Sequence, residues 1–156
     1  LKEMDVDELI YGVINTFKLK VENIGGTIDA QFETEDPFAM ADDMHFTNVI
    51  FNLMDNAVKY KRADVPLHLE VRTWNEPGKL MISIADNGIG IKKDDLKKIF
   101  DKFYRVHTGN RHDVKGFGLG LAYVKQVITN HKGTIKAESE LGNGTKFIIS
   151  LPQNNE

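Results

Sequence analysis

Two asparagines one helical turn apart, Asn52 and Asn56, stand in the stretch NLMDNAVKY, with Lys59 and Tyr60 directly after them. On a helix, at about 100° per residue, Asn52, Asn56 and Lys59 fall within roughly 60° of one another. Val49, Ile50, Leu53 and Ala57 form the adjacent apolar stripe, so the amides lie on the border between core and cleft. Asparagine is a poor residue inside a helix, and two at this spacing call for partners. Helix-packing hydrogen bonds are one reading. The other is chemical: an amide oxygen suits Mg²⁺, which keeps most of its waters and takes phosphate oxygens as further ligands. Lys59 would then meet a phosphate as a point charge.

Three further stretches carry comparable alternatives. ADNGIGI, Ala85 to Ile91, ends an apolar run. It reads either as an Asp-Asn-Gly turn or as a base pocket. Asp86 would repel a pyrophosphate but suits a donor such as the exocyclic amine of adenine, with Gly88 and Gly90 allowing close approach of backbone. A dinucleotide fingerprint is disfavoured, because the third glycine of that motif is missing. In IFDKFYRV, Ile99 to Val106, Phe100 and Phe103 are placed to anchor the core. Lys102 and Arg105 remain available for phosphate, and Tyr104 for stacking or a hydrogen bond. In GFGLGL, Gly116, Gly118 and Gly120 precede a helical run, although glycine costs about 1 kcal/mol relative to alanine inside a helix. The cluster is either a flexible turn or a cradle of bare N–H groups for phosphate at a positive helix end. No Walker-type Gly-Lys-Ser/Thr is present, and GNGT, Gly142 to Thr145, taken alone is a hairpin turn.

The elements that must hold these residues follow from periodicity. Val6, Leu9, Ile10, Val13, Ile14 and Phe17 have helical spacing, ended by Gly25 and Gly26. TIDAQFE alternates as a strand, and DPFAMADD offers a short strand before a helix that Asp42 or Asp43 can cap and that runs to about Tyr60. LHLEVRTWN and KLMISIAD read as strands joined at Glu76, Pro77 and Gly78. KDDLKKIF is a short helix, and residues 101–117 form a long, basic, mobile loop. A helix from Leu119 to His131 is followed by strands TIKAESE and TKFIISLP. The sum is α+β, one sheet with helices on one face.

Composition narrows the classes of function. The 156 residues fit one domain, 41% hydrophobic and 28% charged. Cysteine is absent, which excludes disulfides, thiolate metal sites and cysteine nucleophiles. The net charge of −3 argues against general nucleic-acid binding. Residues 86–115 nevertheless hold 8 bases against 5 acids, which suits a polyanion beside a glycine loop. No apolar run is long enough to span a bilayer. The chain opens on Leu1, and a segment of a longer protein is expected.

Each motif alone is weak, but their order is specific. NLMDNAVKY, DNGIG, FDKFYRV, GFGLGL and GNGT resemble, in sequence order, the N box, first G box, F box, second G box and third G box of histidine kinase catalytic domains. These belong to a superfamily shared with gyrase, the heat-shock chaperone ATPase and the mismatch-repair ATPase. The resemblance runs from about Val6 to Pro152. It implies a two-layer α/β sandwich, with a mixed, mostly antiparallel sheet of about five strands, three main helices on one face and a mobile ATP lid. Residues 1–152 would form the catalytic domain, 1–5 being a linker remnant, and 153–156 a tail.

By position, Asn56 resembles the Mg²⁺-binding amide, with Asn52 beside it, and Asp86 the carboxylate that reads the adenine amine. Gly88, Gly90 and Ile91 would shape the base pocket, Thr145 would support Asp86, and Tyr60 would wall the base. Lys59, Tyr104 and Arg105 look like nucleotide contacts. Gly116, Gly118 and Gly120, with Leu119 and Leu121, would form the lid hinge and the start of a phosphate-binding helix.

Superfamily members that hydrolyse ATP, and the related anti-sigma-factor serine kinases, resemble one another in a glutamate four residues before the metal amide. Here that residue is Asn52, which takes no proton at neutral pH and favours histidine as acceptor. The implied activity is transfer of the γ-phosphoryl of Mg-ATP to a histidine on a dimerisation hairpin upstream of Leu1, and from there to a response regulator. The alternative is a serine kinase or ATP hydrolysis. The one His-acid pair, His112-Asp113, falls in the expected lid, so this chain alone should bind ATP as a cytoplasmic monomer without phosphorylating itself. Direct contact with membrane or nucleic acid is not expected.

Overall fold

An aspartate opens each of the two long helices. Asp5 Oδ1 accepts from the Glu8 N–H at 3.0 Å to start helix α1 (Val6–Asn23), and Asp42 Oδ1 accepts from the His45 N–H at 3.0 Å to start α2 (Asp43–Lys59). These side chains satisfy donors that a helix start leaves without partners. The computed structural model describes residues 1–102 and 120–153. Tyr104, Arg105, Gly116, Gly118 and Leu119, and with them most of the expected lid, lie outside the described residues.

Five strands form the main sheet in the spatial order β2 (Thr27–Phe32), β4 (His68–Glu76), β5 (Lys79–Asp86), β7 (Thr145–Pro152) and β6 (Thr134–Ser139). Only the β2–β4 pair is parallel. Pro77 and Gly78 make the β4–β5 turn, where Gly78 takes a φ of +73° that a side chain would resist. Burial alternates along β4 and β7, while β5 is buried on both faces from Leu80 to Ile84. Leu69, Val71, Leu80, Ile82, Ile84, Phe147, Ile149 and Leu151 turn inward against α1, α2 and α4 (Leu121–Asn130). Fully buried side chains such as Phe46, Leu53 and Ile82 are each worth about 1.5–3 kcal/mol by transfer from water. The result is the two-layer, mostly antiparallel architecture expected.

The chain departs from expectation at several points. Lys2–Asp5, expected as a linker remnant, forms strand β1, paired antiparallel with β3 (Phe38–Ala41) in a separate two-stranded ribbon. Only Ala39 and Ala41 of that ribbon are buried, so it has no apolar alternation long enough to read in advance. The helix expected over KDDLKKIF is shorter: α3 covers Lys93–Leu96, and turns follow, as in the Asp101 N–H donating to the Lys98 carbonyl. Helix α4 begins at Leu121 because Gly120, its cap, sits in the left-handed region at φ +71°.

One buried histidine ties the two cleft-bordering helices together. His131 caps the end of α4, where its Nδ1–H donates to the Val127 carbonyl at 2.8 Å. The other nitrogen, Nε2, must then be the acceptor for the Asp42 N–H at 2.9 Å. The end of α4 is thus pinned to the start of α2. Among the described residues no helix is long and apolar enough to cross a membrane.

Candidate functional site

The helix-facing side of the sheet opens, at one end, into a cleft of about 380 Å³ including its mouth. Asn56, Tyr60, Asp86, Gly90, Ile91, Thr145 and Phe147 line it. Six of these seven were candidates from the sequence. They come together because β5 ends at Asp86 directly opposite Thr145, the first residue of β7, while α2 crosses above them.

Asp86 is held by its Oδ1 alone, which accepts from the Gly88 N–H at 2.8 Å and the Thr145 N–H at 3.3 Å. Its Oδ2 has no partner among the described residues. Burial pushes the Asp86 carboxyl up to about 6, against the two N–H groups, which favour the ionised form. At neutral pH it is therefore a partly buried acceptor with one oxygen still to be satisfied. Tyr60 Oη is likewise buried without a hydrogen bond among the described residues, and burial raises its pKa. Orphaned polar atoms in an otherwise apolar cleft are what a polar, planar ligand would satisfy.

The glycines are packed against the protein's own backbone. A Cβ on Gly88 would lie 2.5 Å from the Tyr60 carbonyl oxygen, one on Gly90 2.1 Å from the Glu140 carbonyl, and one on Gly144 2.0 Å from the Asp86 carbonyl. The space that a side chain would take is filled by the protein's own backbone. Gly88 thus lets the end of α2 dock, with the Ile89 N–H donating to the Tyr60 carbonyl at 2.9 Å. Gly90 and Gly144 let the 86–91 loop and the 142–145 turn interlock, and the Gly142 N–H donates to the Ile89 carbonyl at 2.7 Å. The hairpin turn and the glycine loop are one unit.

The helix-borne candidates are less converged. Asn56 is buried at 8% exposure and reaches the cleft. Asn52 faces the start of α4 instead: a Cβ on Gly120 would meet its Oδ1 at 3.6 Å. Lys59 does not line the cleft. Its Nζ pairs with Asp55 Oδ2 at 3.2 Å, while Lys20 of α1 pairs with Asp55 Oδ1 at 3.0 Å. Burial alone would raise the Asp55 carboxyl, but the two ammonium groups outweigh it and hold the group below the usual range. Leu121 is buried in the core at 1% exposure, so its side chain is closed to a ligand and only its backbone can contribute. Gly120, the cap residue of α4, has no side chain, so among the described residues the first N–H groups of α4 have no side-chain cap.

For Mg²⁺ the donor set is thin. Among the described residues no group of three or more His, Cys, Asp or Glu could hold a metal. A single buried amide oxygen, that of Asn56, fits an ion that keeps its waters and arrives with phosphate oxygens.

One residue of the cleft, and one that stands behind it, escaped the sequence reading. Phe147 forms part of its wall, and alternation from Thr145 along TKFIISLP would have placed it on the same face. Ser139 lies at the end of β6 opposite Thr145, a pairing that no local signal discloses.

The family model of histidine kinase-, DNA gyrase B-, and HSP90-like ATPases matches residues 41–155. The sensor protein RprX of Bacteroides fragilis (strain YCH46) is 72% identical over 152 residues, which is 97% of this chain and 29% of that protein. The chain thus spans less than a third of that relative. The catalytic domain of histidine kinase ThkA, in a nucleotide-free form, superposes with a TM-score of 0.80 at 27% identity, covering 99% of this chain and 98% of that one. ThkA in complex with the response regulator TrrA gives a TM-score of 0.75 at 26% identity, over 98% of this chain and 42% of that one.

Proposed function

Because the chain belongs to the histidine kinase-, DNA gyrase B- and HSP90-like ATPase family, we propose that it is the Mg-ATP-binding part of a sensor histidine kinase. It would donate the γ-phosphoryl to a histidine on a helical hairpin outside residues 1–156. The observation that carries this reading is the half-satisfied Asp86 carboxylate at the closed end of an apolar cleft whose rim carries the Asn56 amide.

The base enters between Tyr60, Ile91 and Phe147, and its exocyclic amine donates to Asp86 Oδ2. Asn56 would hold Mg²⁺, and the ion would supply positive charge to the phosphates. Lys59 swings from Asp55 to a phosphate, leaving Lys20 to neutralise Asp55. The uncapped start of α4, at Gly120, offers N–H groups to the phosphate chain. Tyr104, Arg105, Gly116, Gly118 and Leu119 take the contact and hinge roles that the resemblance implies. Asn52 takes no proton, so neither water nor serine is activated, whereas an imidazole needs less help as a nucleophile. A response regulator receives the phosphoryl group from the full-length kinase, as the ThkA–TrrA complex suggests by likeness. The ATP requirement places this segment in the cytoplasm, acting as a monomer that docks on its own hairpin.

The test is incubation with radiolabelled Mg-ATP, with and without the chain's own upstream hairpin. The chain alone should bind ATP, hydrolyse it slowly and carry no label. With the hairpin, acid-labile and base-stable label should appear on a histidine. Asn56→Ala should remove the Mg²⁺ dependence of ATP binding while the protein stays folded. Rapid hydrolysis, or label on serine or threonine, would turn the assignment to the hydrolytic or serine-kinase branch.

A further inference from the structure

Asp86, Thr145 and Ser139 form one cross-strand row on the helix-facing side of β5, β7 and β6. Ser139 Oγ has three partners there. It accepts from the Ile91 N–H at 2.8 Å, lies 2.7 Å from the Gly144 carbonyl oxygen and 2.9 Å from Thr145 Oγ1. The direction of each bond follows by elimination. An N–H only donates and a carbonyl only accepts, so the single Ser139 proton must go to Gly144, since two oxygens at 2.7 Å without a proton between them repel. The Thr145 proton must then go to Ser139. Ser139 is saturated, with one bond donated and two accepted. Thr145 Oγ1 has spent its only proton and can offer nothing but lone pairs.

We propose that Ser139 is a specificity-determining positioning residue. By taking the proton of Thr145 it makes that hydroxyl a pure acceptor beside Asp86, so the closed end of the cleft accepts a base edge bearing an amino group and rejects one bearing a carbonyl. This rests on the reading of the cleft as a purine-nucleotide site, and adds to it the residue that sets the sense of the hydrogen bonds. Asp86 supplies the first acceptor and Thr145 the second. An amino group brings hydrogens to both, whereas a carbonyl would bring lone pairs against buried lone pairs. Because Ser139 is itself tied to two backbone groups, Ile91 and Gly144, it cannot rotate to release the Thr145 proton. Without that hydroxyl, Thr145 is free to turn its proton into the cleft and donate to a carbonyl.

The experiment displaces a fluorescent nucleotide analogue from the chain with ATP or with inosine triphosphate, which carries a carbonyl in place of the amine. The unaltered protein should prefer ATP by about 100-fold or more, as sites with buried hydrogen-bonding groups do. Ser139→Ala should cut that preference about tenfold, the effect of one redirected hydrogen bond. Ser139→Thr, which keeps the hydroxyl, should preserve it. Adding Thr145→Val to Ser139→Ala should weaken the inosine nucleotide relative to Ser139→Ala alone, because the released proton is gone.

Equal weakening of both nucleotides by Ser139→Ala, with their ratio unchanged, would reduce Ser139 to a structural strut and overturn the proposal. Should Ser139→Ala fail to fold, Thr145→Val in the otherwise unaltered chain decides. Loss of ATP affinity with inosine triphosphate unaffected marks Thr145 as an acceptor, and the reverse marks it as a donor and ends the idea. Failure of the underlying site reading looks different: the unaltered chain would bind neither nucleotide, or both alike.

Discussion

The two ends of the cleft are built by different means. At the closed end, Asp86, Thr145, Ser139 and the glycines are locked by strand register and backbone contact, with Gly90 and Gly144 in left-handed conformations and no spare volume. Beyond the open end, Asn52 and Lys59 stand on α2 and Gly120 caps α4, and Lys59 is held by an ion pair with Asp55. The closed end is preorganised and its specificity is geometric. The open end can rearrange, which suits a ligand portion that must be gripped, transferred from and released.

The sharpest way to break this contrast is at the interlock. Gly144→Ala would drive a Cβ to within 2.0 Å of the Asp86 carbonyl oxygen, so the closed end must come apart. We expect a loss of about 3 kcal/mol or more, beyond the strain of a positive φ alone. Gly142→Ala is the control, because it shares a positive φ of +88° but meets nothing within 4 Å. It should lose only about 1 kcal/mol in chemical denaturation. Equal losses at the two glycines would mean that the turn is merely a turn.

Next comes Asp86, where stability and binding should respond to pH in opposite senses. With its pKa raised from 3.8 to about 6, the folded protein binds a proton more tightly than the unfolded chain. The stability this contributes is fully present below the ordinary carboxylate pKa and is lost as pH rises through 6. Asp86→Asn should therefore stabilise the nucleotide-free protein above pH 6, by about 1–3 kcal/mol, and flatten its profile. ATP affinity should instead rise with pH through 6 in the unaltered chain. In Asp86→Asn it should fall about 10- to 150-fold, the worth of a charge-assisted bond. Calorimetry at pH 5 and pH 8 reads both effects.

The smallest expected effect probes the adaptable end. Asp55→Asn removes the acid on which Lys59 is parked, so ATP should bind about two- to fivefold tighter at low salt, in keeping with the modest worth of such pairs. Adenosine, lacking phosphates, should be unaffected. A change of equal size for adenosine would place Asp55 in the base pocket's support and erase the distinction between the ends.

Much of this was legible in the chain. The Asp42 cap, the period of α1 and α2 and the Pro77-Gly78 turn all follow from short-range chemistry. Of the seven cleft residues, Asn56, Asp86 and Gly90 were candidates from their own chemistry, and Tyr60, Ile91 and Thr145 only through the family resemblance. Residues whose surroundings the sequence did not disclose depend on partners far along the chain. Gly88 was expected to make room for a base, yet its space belongs to the Tyr60 carbonyl. Lys59 was expected at a phosphate, yet Asp55, shared with Lys20, holds it.

What the sequence determined by itself is the set of elements and the order of the motifs, because helix period, strand alternation and turn chemistry act over a few residues. Only the tertiary structure decided which of those residues share an atom-to-atom network. The pairing of β1 with β3, and the register that sets Ser139 against Thr145 and Thr145 against Asp86, join residues up to tens of positions apart. A strand shifted by one residue would carry the same local signals but turn each of these side chains to the opposite face. Packing of the whole core selects among such registers, and with them the direction of a single hydroxyl proton.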